Sequence, residues 1–174
     1  MFYDTWIFDQ SEASAIVGLT VAQIGNWYDR YDLFPGKARG RGNPVRYDFR
    51  ELVQLGAVKA LVDHRLAPAE AVQALRARNA FGSLVRTSED ITRYPGSIFF
   101  TQNGEGLWVG ADDAKKKVYV EVRLWPIFDE IYPLAKNEVL NSLDRYGAPT
   151  LGEINAGFDE SDAYFQAIRE KQGA

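Results

Sequence analysis

A chain of 174 residues with 46% hydrophobic and 13% aromatic content is long enough for one good core or two small ones. It contains no cysteine and a single histidine, His64, which excludes disulfides, thiolate metal sites and imidazole-rich metal centres, so no cofactor is expected. The net charge of −4 is unevenly placed: five basic residues against one acid between positions 37 and 50 make that stretch +4 and leave −8 for the remainder.

The first residues, Met1-Phe2-Tyr3-Asp4, lack the basic start and continuous apolar run of a signal peptide, and no apolar run approaches the roughly 20 residues that span a bilayer. A cytoplasmic location is expected. Asp9 with Glu12 three residues on has the spacing of a capping box and starts a helix to about Val17, with Ala13, Ile16 and Val17 on one face. Gly18 stands where a left-handed residue would end it. Thr20 with Gln23 repeats the box and predicts a second helix to about Tyr31, its apolar stripe formed by Ile24, Trp27 and Tyr28. On its own this is a helical hairpin.

The eleven residues from Lys37 to Tyr47 turn that hairpin into a DNA reading head. Residues 37–47 hold Lys37, Arg39, Arg41 and Arg46 with two glycines, flanked by Leu33, Phe34, Val45 and Tyr47. Such a segment suits a wing laid on the sugar-phosphate backbone. Asp48 with Glu51 makes a third capping box and starts a helix carrying Phe49, Leu52, Val53, Gly56, Ala57, Ala60 and Leu61 inward. The pattern breaks at His64-Arg65-Leu66-Ala67, and Pro68 suits the first turn of a fourth helix to about Arg78 with Ala71, Val72 and Leu75 inward.

These elements, in this order, resemble the MerR-like winged helix-turn-helix family over about residues 11–75. The resemblance rests on Glu12-Ala13-Ser14-Ala15, the turn Gly18-Leu19-Thr20, the helix Ile24-Gly25-Asn26-Trp27, the exit Asp32-Leu33-Phe34 and Arg46-Tyr47 closing the wing. It implies double-stranded DNA as partner, with the recognition helix, about residues 20–31, in the major groove. Thr20, Val21, Ala22, Gln23 and Asn26 are then the base-proximal residues. Gln23 and Asn26 have the amides for bidentate contacts to adenine, and Val21 and Ala22 suit a thymine methyl. Arg30, Lys37, Arg39, Arg41, Arg46 and Tyr47 are expected on the backbone or in the minor groove. The chain departs from the family in the spacing from Trp27 to Leu33, one residue longer, and in its first recognition-helix turns, where many relatives carry arginine or tyrosine.

Neither the long dimerising coiled coil nor the metal-sensing cysteines of effector-responsive relatives occur here. Instead, apolar runs at 97–101, 107–110 and 118–122, separated by the turn sequences Asn103-Gly104-Glu105-Gly106 and Asp112 to Lys117, predict a small antiparallel β-meander. A helix from about 125 to 143 comes next, with Pro133 expected to kink or divide it. The tail has a turn at Pro149-Thr150 and a predicted helix over 161–171, capped by Asp159 or Ser161. Trp108, Tyr119, Trp125, Phe128 and Tyr132 read as core rather than a ligand pocket. Asp112-Asp113 and Asp129-Glu130 have no nucleophile or base beside them, so an enzyme is not expected. The fold class is α+β: a winged helix-turn-helix at 1–80, then a small sheet-and-helix domain at 81–174 for dimerisation or partner binding. The expected function is a bacterial-type transcription regulator acting as a homodimer. The alternative is an antitoxin-like or phage-type accessory protein whose C-terminal half holds a protein partner.

Overall fold

The computed structural model describes residues 5–37, 44–76, 97–103, 106–109, 120–146 and 150–172. Strand β1 (Ile7–Asp9) opens it, with Trp6 and Phe8 buried and Ile7 exposed between them. Three residues are too few to set a readable period, so no sequence pattern announces this strand. β1 pairs antiparallel with β2 (Arg46–Asp48), placing Phe8 opposite Tyr47 and Asp9 opposite Arg46. The strand that ends the arginine-rich segment thus pairs with the start of the chain.

Three helices begin on capping boxes. The Asp9 side chain accepts from the Ser11 and Glu12 amides to start α1 (Gln10–Val17), while Glu12 accepts from the Asp9 amide at 2.7 Å. Gly18 ends α1 with φ at 68°, a conformation glycine adopts without steric cost. Thr20 starts α2 (Val21–Tyr31), and Asp48 starts α3 (Phe49–Asp63). α4 (Pro68–Arg76) comes after the turn at His64 and Arg65, where Arg65 takes φ of 70°. α1, α4 and α5 (Leu124–Asn141) all pack on α3.

The second sheet is not a meander. Its order is β4-β3-β5, with β3 (Ser97–Asn103) central, β4 (Gly106–Val109) on one edge and β5 (Val120–Arg123) on the other, all antiparallel. β3 is long enough to divide its length: Phe100 to Asn103 face β4, and Ser97 to Phe100 face β5. Trp108 and Tyr119 have side chains outside the described set, as do the turns at 104–105 and 110–119.

α5 runs through Pro133 as one helix, so the proline does not divide it. Proline in a helix interior costs about 3 kcal/mol; the burial of Phe128, Ile131, Tyr132, Ala135 and Val139 on either side holds the helix together. α6 (Leu151–Gln172) begins ten residues earlier than expected, because Thr150 and Glu153 form a fourth capping box: Glu153 accepts from the Thr150 amide at 2.8 Å and Thr150 Oγ1 accepts in return at 3.2 Å. Its buried side chains, Ile154, Phe158, Ser161, Phe165 and Ile168, alternate four and three apart. Ser161 is an interior residue bonded to the Gly157 carbonyl, not a cap.

One hydrophobic core runs from β1 through α3 to α6. Trp6 stacks on Tyr132 at 5.6 Å and meets Phe49 and Phe158 edge-on. Phe128 meets Phe49 at 5.6 Å and Phe165 at 4.4 Å. Trp125, Phe128 and Tyr132 are thus core residues. Outside this layer Lys136 joins Asp162 at 2.9 Å and lies 4.7 Å over the Phe158 ring, while Arg169 pairs with Asp129 and covers Trp125.

Gly56 lies where α3 and α5 approach closely: a Cβ there would stand 2.6 Å from Ile127 Cγ2 and 2.8 Å from Ile131 Cδ1. Replacing Gly56 by valine should cost about 2 kcal/mol through overpacking, read by chemical denaturation. Phe128→Ala should cost about 3 to 5 kcal/mol and lower one shared unfolding transition for α1 to α6. Two separated transitions would contradict a continuous core.

Candidate nucleic-acid interface

α2 is fixed from below and open from above. Ile24, Trp27 and Tyr28 bury its inner face, while Val21, Ala22, Gln23, Asn26, Asp29 and Arg30 are exposed. Ala22, Asn26 and Arg30, spaced four apart, form one outward stripe. Val21 exposes 47% of its surface, an apolar group in the helix's first turn that the core does not use.

Thr20 and Gln23 are occupied with each other. Gln23 Oε1 accepts from the Thr20 amide at 2.8 Å and from the Thr20 hydroxyl at 2.9 Å, and Thr20 Oγ1 accepts from the Gln23 amide at 3.1 Å. A bidentate grip on adenine requires the glutamine carbonyl oxygen as acceptor. That oxygen is committed to the cap, so Gln23 makes such a contact only by breaking the box. Asn26 is the exposed amide of α2 outside the cap.

The arginine-rich segment divides. Arg39 and Arg41 lie outside the described residues, Arg46 is exposed on β2, and Lys37 and Tyr47 turn inward. Tyr47 is 1% exposed and packs edge-on against Phe34 at 5.9 Å. It is core because it stands opposite Phe8 in the β1–β2 pair. Lys37 is ion-paired with Glu51, and its ammonium lies 5.0 Å from the Tyr47 ring centroid and 5.5 Å from that of Phe34. The Tyr28 hydroxyl donates to the Lys37 carbonyl at 3.0 Å, tying this point to α2. Lys37 is therefore a half-buried anchor, and a phosphate could recruit it only in competition with Glu51.

Glu51 serves two partners, accepting from Lys37 and from the Asp48 amide at 2.8 Å. Burial raises its carboxyl above the ordinary value of 4.5, with the Asp48 charge adding to the rise and Lys37 opposing it. A carboxyl raised in the folded state contributes stability below its unfolded value, and that contribution is lost as pH rises through the folded value.

Two residues that no local pattern marks also touch α2. Gln10 Nε2 donates to the Val21 carbonyl at 3.0 Å, and Arg76 at the end of α4 donates to the Tyr31 carbonyl at 3.1 Å and pairs with Asp32 at 3.2 Å. Their contacts cross 11 and 45 positions of sequence, beyond the reach of helical periodicity.

Residues 9–78 match the family model described as MerR HTH family regulatory protein, and this N-terminal part of the chain, less than half of it, is a MerR-type helix-turn-helix: four helices with a small two-stranded antiparallel sheet. No curated protein matches the chain. The match points to a DNA-binding transcription regulator, a class of regulators rather than enzymes. No helix among the described residues is long and apolar enough to cross a membrane.

Glu51→Gln keeps an acceptor for the Asp48 amide and cannot ionise. The stability of the parent relative to Glu51→Gln should therefore fall as pH rises from 4.5 toward neutrality and then level off, as read by denaturation across pH. A difference that grows with pH would contradict the burial of this carboxylate.

Proposed function

We propose that the chain is a sequence-specific regulator of transcription that binds double-stranded DNA as a homodimer in the cytoplasm, with α2 in the major groove and residues 37–47 forming a wing on the sugar-phosphate backbone. The observation that carries this reading is the outward stripe of α2. The helix matched to a DNA-binding family holds its apolar side in the core and exposes Ala22, Asn26 and Arg30 in a row with Val21 beside them.

In this reading Asn26 makes the main hydrogen-bonded base contact, and Val21 and Ala22 pack on thymine methyl groups. Thr20 and Gln23 frame the helix start. Arg30 and Arg46, with Arg39 and Arg41, neutralise phosphate; Lys37 holds the wing's first end, and Tyr47 supports its second from the core. One small head on one half-site binds modestly, and pairing two heads is the usual remedy. We assign the pairing to residues 81–174, where Leu134, Leu140 and Leu151 expose apolar side chains. Their replacement by glutamate tests the homodimer by sedimentation.

Incubating the protein with fragmented genomic DNA at physiological salt, and sequencing what is retained, should yield a few sites made of two related half-sites. On such a site Asn26→Ala should cost about 1 to 3 kcal/mol. Arg30→Ala and Arg46→Ala should instead weaken binding to all sequences and each lower the salt slope by about one. Uniform retention, or none, would refute the regulator reading.

A further inference from the structure

The two ends of α2 are held by side chains from other helices. At its N-terminal end Gln10, the first residue of α1, donates from Nε2 to the Val21 carbonyl at 3.0 Å. At its C-terminal end Arg76, the last residue of α4, uses two nitrogens: Nη1 donates to the Tyr31 carbonyl at 3.1 Å and Nη2 reaches Asp32 Oδ2 at 3.2 Å. Asp32 is the left-handed residue that caps the C-terminal end of α2, with φ at 52°. A guanidinium placed there also faces the negative end of the helix dipole.

We infer that Gln10 and Arg76 are positioning residues for DNA recognition, setting the lie of α2 on the head so that Asn26 meets a base edge in register. The inference rests on the DNA-binding reading of α2. Both fastenings are solvent-accessible, the Arg76 and Asp32 side chains being 40% and 56% exposed, and exposed pairs add little to folding stability. Direction is what they add. One fastening at a single end would leave α2 free to pivot on Ile24, Trp27 and Tyr28, whereas one at each end removes that freedom, and base contacts tolerate only small displacements.

The sequence of α2 accommodates the arrangement. Gly25 sits in the helix interior, where glycine is a poor helix former. A Cβ at Gly25 would stand 3.3 Å from Gln10 Nε2, tighter than ordinary contact, so the absent side chain leaves room for the Gln10 amide. Arg30 lies one residue before the carbonyl that Arg76 holds, so release of that end moves Arg30 as well.

The test uses the full chain and a pool of DNA duplexes with randomised centres. The wild-type protein selects its preferred duplex, and discrimination is the ratio of affinities for that duplex and a scrambled one of equal length. Gln10→Ala and Arg76→Ala should each lower discrimination roughly tenfold, with thermal stability nearly unchanged. Arg76→Lys keeps the charge and cannot span both acceptors, so it should match the parent in salt dependence and still lose discrimination. Lys136→Met, which loosens the pairing of α5 with α6, should leave discrimination intact. Discrimination within about twofold of the parent in Gln10→Ala and Arg76→Ala, or an equal loss in Lys136→Met, overturns the inference while leaving the regulator reading in place. A wild-type protein that selects no duplex overturns both.

Discussion

Everything on the exposed side of this molecule depends on the burial of one aromatic layer. Trp6, just before β1, and Phe49, Phe128, Tyr132 and Phe165 of α3, α5 and α6 meet in one layer, with centroid separations from 4.4 to 6.5 Å. Aromatic pairs of this kind add to the large area each ring removes from water. None of these rings comes from α2, which supplies Ile24, Trp27 and Tyr28 to the core and keeps its other face exposed. The four short helices of the head supply most of the buried apolar residues among those described. The C-terminal helices complete its interior.

On that base, position is set by short polar links. Three capping boxes start α1, α2 and α3, so each helix axis begins at a defined residue. Lys37, held between two rings and Glu51, fixes where the arginine-rich segment leaves the head, and the β1–β2 pair fixes where it returns. Among the described residues of this surface, Arg30 and Arg46 carry positive charge outward, in a chain whose remainder is acidic.

The helices of the head were legible because their signals are local. A side-chain oxygen three residues before Glu or Gln, a glycine after the last buried position, and apolar residues at helical spacing all lie within one helix length. The same rule reaches Thr150 and Glu153, yet Gly152 and Gly157 and a stripe of only one apolar residue per turn hid the first half of α6. β1 is too short for a pattern, and its pairing with β2 joins residues far apart in sequence. The sheet order pairs β3 with β5 across 20 to 26 positions, which no local pattern signals. Tyr47 is grouped with the DNA contacts because it closes the wing with Arg46; its register opposite Phe8 makes it core. Gln23 has the right chemistry for a base contact, and only the geometry reveals its carbonyl oxygen already in use. Gln10 and Arg76 carry no motif at all.

The exposed stripe of α2 is, in this reading, the surface that meets DNA. Titrating an isotopically labelled sample with its selected duplex, and following each backbone amide by NMR, tests that most directly. The largest shifts are expected on Ala22, Asn26, Arg30 and Arg46, with those of Phe158, Phe165 and Ile168 in α6 nearly unchanged. Largest shifts along α6, with α2 silent, would contradict it.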